Sequence, residues 1–359
     1  MIAAMDRVDV DRRARRRRVG GRVTSLAGAC TVLVMLVGCL ATLPYTFGRT
    51  PGGDPALATA SESTWQRRYE ATTPELGLLP PFWARHAPDE QARVDAWIER
   101  TGERPRPLLG TDKLGRDLFI RCLAGGGISL AIGFSAALLA IGIGTLYGTL
   151  SATGGRRVDA AMMRVVDVLY GLPYILLVVL LAVAADGIID RIDAGGAEGD
   201  SWVRNRKALI NILTLLVAIG GVSWLTMARV IRGQVLSLKE QPFMEACRAI
   251  GVPMHRQFRY HLLPNLIGPI IVYTTLAVPQ AILSESFLSF LGIGVKEPLP
   301  SWGNLAAAGL NELNSVRVRW WLLAWPCLFI GMTLLALNFV GEALREAFDP
   351  RRRMAGPSW

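Results

Sequence analysis

The side chains able to do chemistry are few and scattered along the chain. Its three histidines, His86, His255 and His261, and its five cysteines, Cys30, Cys39, Cys122, Cys247 and Cys327, form no CxxC pair and no metal-ligand spacing. The four lysines, Lys113, Lys207, Lys239 and Lys296, never follow a glycine, so no GxxxxGK[ST] phosphate loop exists. Two carboxylates, Asp167 and Glu285, sit at or within apolar segments, where a charge must face water, protein or a partner. For Asp167 the simpler role is a structural bond at a helix end. Glu285 stands with Ser286 and Ser289 in SESFLSFLGIG, and has two readings: the group lines a path for a solute, or it secures a turn. Neither acid has a neighbour that suggests acid–base work. These residues by themselves point to no metal, phosphate-loop or acid–base chemistry.

The elements that must carry these residues are membrane helices. Hydrophobic residues make up 51% of the 359, charged residues only 19%, and the mean hydropathy is +0.34. An ordinary soluble domain carries roughly 25% charged residues. Uncharged runs extend from Cys122 to Gly155, Ala208 to Ala228 and Trp320 to Gly341, each about the length that spans a bilayer or longer. We read an all-α polytopic membrane protein with six transmembrane helices near Val23–Tyr45, Gly126–Ser151, Val165–Ala185, Ala208–Ala228, Leu266–Leu291 and Trp320–Gly341. The first follows a basic stretch but is too long for a signal peptide and lacks a small-x-small cleavage site, so it reads as an anchor. The net charge of +10 comes from basic residues flanking the apolar runs, which suits a lipid surface and not a nucleic acid.

Counting Lys and Arg orients the chain. Segments 1–22, 154–164, 229–263 and 342–359 carry 21 basic residues in 86 positions, and the alternate segments 46–125, 186–207 and 292–319 carry 18 in 130. The positive-inside rule makes the first set, and both termini, cytoplasmic. The organisation is then a basic tail, 1–22; a first helix, 23–45; an extracytoplasmic segment, 46–125; a five-helix core, 126–341, containing the cytoplasmic loop 229–263; and a tail, 342–359. Within 46–108 only 89–100 reads as a helix, with Val94, Trp97 and Ile98 on one side. Loop 186–207 reads as a flexible turn. Trp202, Trp302, Trp320, Trp321 and Trp325 are expected at headgroup depth. Gly133, Gly142, Gly144 and Gly148 in the second span allow close helix packing.

The loop 229–263 is too patterned for a linker. A helix from Phe243 is stopped by Gly251, Val252-Pro253 prevents its continuation, and a second short helix runs from Met254 to Leu263, with Pro264 opening the fifth span. The segment either lies on lipid as an amphipathic helix or docks into a groove of a soluble partner, for which Ala246, Cys247 and Ala249 beside Glu245 and Arg248 leave room. Before the second span, GTDKLGRD makes a compact turn: Thr111 or Asp112 can cap the segment after it, and Gly115 permits the bend before Arg116-Asp117. That motif is either a structural cap or a contact for a partner outside.

EACRAIGVPMHRQFRYHLLPN (245–265) resembles the cytoplasmic coupling loop of bacterial ABC importer permeases, with Cys247 in place of an alanine. Three further stretches are similar to the dipeptide/oligopeptide/nickel permeases, C-type subunit: LLGTDKLGRDLFIRCLAGGGISL (108–130), ESFLSFLGIGVKEPLPSWG (285–303) and LNFVGEALREAFDPR (337–351). Together they cover about residues 105–353. Ile120, Gly127, Glu297 and Glu342 depart from the pattern, at positions where the family has Ser, Arg, Pro and Asp. Loss of an arginine at 127 puts a substrate contact at the outer mouth in question. The resemblance implies a type I ABC importer permease fold. It implies that Glu245, Ala246, Cys247, Arg248 and Gly251 couple to an ATPase, on a framework of Pro253, Leu263, Pro264 and Asn265. It also implies a lead-in motif at Gly110, Thr111, Asp112, Gly115, Arg116 and Asp117. The expected partners are a second homologous permease, two ABC ATPase subunits that use ATP and Mg²⁺, and an extracytoplasmic solute-binding protein. This chain itself is expected to bind no cofactor and to be non-catalytic, in a bacterial plasma (inner) membrane. The cargo is a dipeptide or oligopeptide, or alternatively a nickel chelate or peptide-like antibiotic. A secondary transporter and a membrane scaffold are the rivals from other classes.

Overall fold

The computed structural model describes residues 28–51, 65–193, 201–313 and 317–348. The basic tail 1–22, the loop residues 194–200 and the end of the C-terminal tail, 349–359, lie outside the described residues. Helix α1 spans Gly28–Thr46. It leads to a small cap: strands β1 (Arg49–Pro51) and β2 (Trp65–Arg67) pair antiparallel, and α2 (Pro88–Thr101) comes next. On α2, Val94 is buried, and Trp97 and Ile98 pack with it over Leu76 and Leu79. Then come α3 (Leu118–Thr153), α4 (Arg156–Tyr170), α5 (Tyr174–Asp193), α6 (Ser201–Lys239), α7 (Pro242–Ala249), α8 (Met254–Gln257), α9 (Leu263–Phe290), α10 (Trp302–Asn311) and α11 (Trp320–Phe348). Five helices among the described residues are long and apolar enough to cross a membrane, or six if the bent pair α4–α5 is one span.

Three readings of the helix boundaries need correction here. The span predicted at 165–185 is not one helix: α4 and α5 meet at an angle of 89°. Pro173 has no N–H to offer and biases Leu172 away from helical geometry, so the chain turns at Gly171–Pro173. Loop 186–207 is helical on both flanks, because α5 runs on to Asp193 and α6 begins at Ser201. Pro264 does not open a span either. Met254–Phe290 is one continuous 37-residue helix, with a π turn at Phe258–Leu262 immediately before the proline. A widened turn is one way for a helix to accommodate a residue that cannot donate to the carbonyl four back.

The bundle is organised around α3, the most buried of the long helices, which packs against α6 and α9. Gly133 and Gly148 explain the closeness of these contacts. A Cβ at Gly133 would lie 2.2 Å from Ile282 of α9, and one at Gly148 would lie 2.5 Å from the Ala228 carbonyl of α6. Small residues at helix crossings let backbones approach in this way. Outward-facing Leu138, Leu146, Leu180, Leu213, Val217 and Leu335 are all about half exposed or more, as lipid- or subunit-facing residues should be. Trp302, by contrast, is not interfacial. It is fully buried, its Nε1 donating to the Cys122 carbonyl at 2.9 Å and its ring stacked on Phe329. Trp320 and Trp325 do cluster, with Trp83 of the cap, while Trp321 is buried. The side chain of Trp202 lies outside the described residues.

Candidate functional site

The candidate sites are three: an exposed elbow at one end of the bundle, a cavity in its middle, and a braced turn at the other end. The elbow is α7 and the turn after it. Lys239 closes α6 by donating from Nζ to the Ala152 carbonyl at 2.8 Å, so α7 emerges beside the far end of α3. Met244 is fully buried and pins α7 to the bundle through Ile231, Val235, Leu262 and Leu266. The opposite face is open: Glu245, Ala246, Arg248 and Ala249 are exposed, Cys247 half-buried, and Ile250 82% exposed. The helix ends as the sequence demands. Val252 N–H donates to the Cys247 carbonyl and Gly251 N–H to the Arg248 carbonyl, both at 3.0 Å, with Gly251 at φ +78°. This is the glycine-terminated helix end that needs a left-handed residue. Beyond it, Pro253 starts α8, Gln257 donates to the Val252 carbonyl at 2.6 Å, Leu263 is half-buried, Pro264 is exposed, and Asn265 donates to the His261 carbonyl at 2.7 Å. The elbow is thus rigid from both sides and carries an apolar tip with an acid and a base beside it.

The middle of the bundle holds a cavity of about 540 Å³ between α3, the α4–α5 bend, α6 and α9. Tyr170, Tyr174, Ser223, Thr226, Tyr273 and Gln280 give it polar groups, and no charged residue lines it. The Tyr174 hydroxyl shares hydrogen bonds with Ser223 at 3.1 Å and Ser284 at 3.4 Å. Such a wall offers hydroxyls and an amide to the backbone amides of many solutes without a fixed charge to select among them. Sequence reasoning missed these residues, which come from separate helices and share no motif. The residues it placed on a path lie elsewhere. Glu285, Ser286 and Ser289 are buried, Glu285 fully, and the carboxylate accepts from Ser289 at 2.8 Å, from Ser286 at 3.3 Å, and from Ser129 and Ser301. Of the two readings of Glu285, the structure supports the securing of a turn. Asp167 makes the structural bond expected of it, to Arg229 at 2.9 Å.

At the far end from α7, the GTDKLGRD motif is a brace. Gly110 and Gly115 have positive φ, and a Cβ at Gly115 would lie 1.8 Å from the Thr73 carbonyl. The Thr111 hydroxyl donates to the Leu76 carbonyl at 2.6 Å and accepts from Leu79 N–H at 2.8 Å. Neither Thr111 nor Asp112 caps α3: Asp117 does, accepting from Phe119 N–H at 2.8 Å and Ile120 N–H at 3.3 Å. Burial pushes the Asp117 carboxyl above its ordinary range despite those donors. Asp112 instead closes its own turn, from Leu114 N–H at 2.9 Å and Arg116 N–H at 3.0 Å, and holds the Arg116 and Arg121 guanidiniums. Glu297 completes the cluster, 3.4 Å from Arg116 and 3.5 Å from Arg121. The acid that departs from the family pattern thus joins two motifs 181 residues apart. Gly127 is not at a mouth but under α1, where a Cβ would lie 3.0 Å from Leu43.

The chain is similar to known proteins over most of its length. Residues 128–354 match the family described as "Binding-protein-dependent transport system inner membrane component". The dipeptide transport system permease protein DppC of Bacillus subtilis (strain 168) is 39% identical over 278 residues, 77% of this chain and 78% of that one. The oligopeptide transport system permease protein OppC of Escherichia coli (strain K12) is 45% identical over 244 residues, 68% of this chain and 72% of that one. A solved structure of the MetNI methionine ABC transporter in inward-facing conformations aligns with a TM-score of 0.46 at 17% identity, over 65% of this chain and 98% of that one.

Proposed function

The chain belongs to the family of binding-protein-dependent transport system inner membrane components, and from its relatives within that family we propose that it serves the import of peptides. It is a multi-pass membrane protein and the permease subunit of an ABC importer, which works with ATPase and permease subunits on other chains. The peptide cargo rests on the relatives, the dipeptide permease of Bacillus subtilis and the oligopeptide permease of Escherichia coli. The uncharged cavity with Tyr174, Tyr273 and Gln280 fits that cargo, because amides are what all peptides share. We assign that cavity to this chain's half of the path, completed by a second homologous permease.

The observation that carries the mechanism is the exposed elbow. Helix α7 is short and pinned by Met244, with its Glu245, Ala246, Arg248 and Ile250 face uncovered. A rigid projection of this kind transmits a push between a soluble motor and the α6 and α9 helices that hold it. In this reading α7 sits in a groove of one of two ATPase subunits on the cytoplasmic side, both termini are cytoplasmic, and the cap faces a solute-binding protein outside a bacterial inner membrane. Nucleotide and Mg²⁺ are handled by the ATPases, and this chain binds no cofactor and catalyses no reaction. The test is site-directed cross-linking in the assembled importer. The native Cys247 should form a disulfide with an engineered cysteine in the ATPase groove, at a yield that changes with bound nucleotide. Absence of that disulfide in every nucleotide state, from cysteines placed across the ATPase groove, would return the segment to the membrane-surface reading.

A further inference from the structure

The cap holds a second cavity, of about 550 Å³, lined by Phe82, His86, Gln91, Val94, Arg104 and Arg106 among others. Its walls are fixed by the backbone: Phe82 N–H donates to the Pro107 carbonyl at 3.0 Å, and the Trp83 indole to the Leu108 carbonyl at 3.0 Å. That pairing lays 82–86 alongside 104–108 and sets His86 beside two arginines. Both ring nitrogens of His86 are buried without a partner. Those nitrogens face packed protein and not the open cleft, so the imidazole is part of the cleft's wall. Arg104 and Arg106 have exposed side chains and make no ion pair among the described residues. No carboxylate lines the cavity, and Gln91, whose amide donates to Asp95 at 2.9 Å, adds a carbonyl and no charge. The chemistry calls for an anion with several acceptor oxygens.

Its position says where the anion comes from. Phe82 and Trp83 are each about half exposed, and Trp83 packs against Trp320 and Trp325 at the start of α11. Tryptophans at the end of a membrane helix mark headgroup depth. The Asp89–Arg317 pair, at 2.6 Å, ties α2 to the loop just before that helix. We propose that this cleft binds the phosphate group of a phospholipid in the leaflet at the cap end of the bundle. Arg104 and Arg106 would pair with the phosphate oxygens, while Phe82 lies against the glycerol and upper chains. With no acid to meet a choline or ethanolamine, the cleft favours an anionic lipid such as phosphatidylglycerol. The proposal holds whichever leaflet that is, and so stands apart from the coupling role given to α7.

The test uses the full-length chain in nanodiscs containing phosphatidylglycerol with a photoreactive group near the phosphate. Mass spectrometry should place cross-links on 82–86 and 104–106. Arg104→Gln with Arg106→Gln should lower them at least about fivefold, since two charge-assisted contacts are lost, and the corresponding double lysine variant should retain most of the yield. Cross-links that spread over the surface, or that survive the double Gln variant at wild-type yield, would overturn the site. Inorganic phosphate that binds the chain in lipid-free detergent and is lost in the double Gln variant, with no lipid cross-link at the cleft, would overturn the lipid assignment in favour of a free anion.

Discussion

Replacing Glu285 separates a buried hydrogen-bond hub from a path-lining charge. Three of the hydroxyls donating to its carboxylate, those of Ser129, Ser289 and Ser301, belong to residues at most 1% exposed, so water cannot replace the acid. Each of these oxygens already accepts from a backbone N–H: Trp302 at 3.3 Å, Val295 at 3.0 Å and Asn304 at 3.2 Å respectively. Their own protons are therefore aimed at Glu285. Glu285→Leu strands three buried donors at about 1 kcal/mol or more each, giving a loss of roughly 3 kcal/mol even at the low end. At ~2–4 °C per kcal/mol this lowers the melting temperature of the purified subunit assembly by about 6–12 °C. Glu285→Gln keeps the shape and one acceptor oxygen, and serine protons can turn toward it, so its melting temperature should fall by less than about 3 °C. The assay is thermal unfolding followed by size-exclusion chromatography, alongside uptake of a transported peptide in free and N-acetylated forms. A stable Leu variant refutes the hub. A Gln variant that loses only the free-amino peptide refutes it too, because that result requires the charge to meet the cargo.

The geometry sets three further outcomes. Gly148→Val should cost about 1–3 kcal/mol of stability, because the Ala228 carbonyl 2.5 Å from its Cβ cannot yield, whereas Gly142→Val, with open space around it, should be near neutral; equal unfolding temperatures would contradict this. Asp112→Ala leaves the Arg116 and Arg121 guanidiniums, 8% and 3% exposed, with the solvent-exposed Glu297 as their carboxylate partner, and should cost about 3–5 kcal/mol in thermal unfolding, while Glu297→Pro, at a 64% exposed side chain, should cost under about 1 kcal/mol. Arg317 holds the Asp89 carboxyl below its ordinary 3.8, so the tie between α2 and the loop before α11 is intact above that value and is lost only as pH falls through the depressed pKa. Hydrogen exchange of α2, corrected for intrinsic rates, should show equal protection at pH 7 and pH 5, and deprotection at pH 5 would contradict the pair.

What the sequence made legible was local. Gly251 had to end a helix because nothing but glycine sits easily at φ +78°, and the apolar period placed α7 and α2 within a residue or two. Apolar runs located the long helices by length alone. What it hid depends on contacts far apart in the chain. Trp302 and Trp320 look alike in sequence, yet one is fully buried beneath Gly126 and the other 43% exposed, a difference set by where α10 docks. Glu297 reads as a departure from a family proline until the fold brings it beside Arg116 and Arg121. The cavity tyrosines 170, 174 and 273 stand on three helices, and only the α4–α5 bend turns two of them toward the third. Hydropathy cannot show that bend, because Leu172-Pro173 interrupts the backbone without interrupting the apolar run.

The claim that α7 couples this permease to a motor is tested most directly by ATP hydrolysis in the reconstituted importer, with and without loaded binding protein. Glu245→Arg reverses the one acid on the exposed face, and Gly251→Pro removes the N–H given to Arg248 and forbids the positive φ. Both variants should insert and assemble, yet lose the stimulation of hydrolysis by loaded binding protein and lose uptake with it. Stimulation and uptake at wild-type levels in both variants would contradict the coupling role of α7.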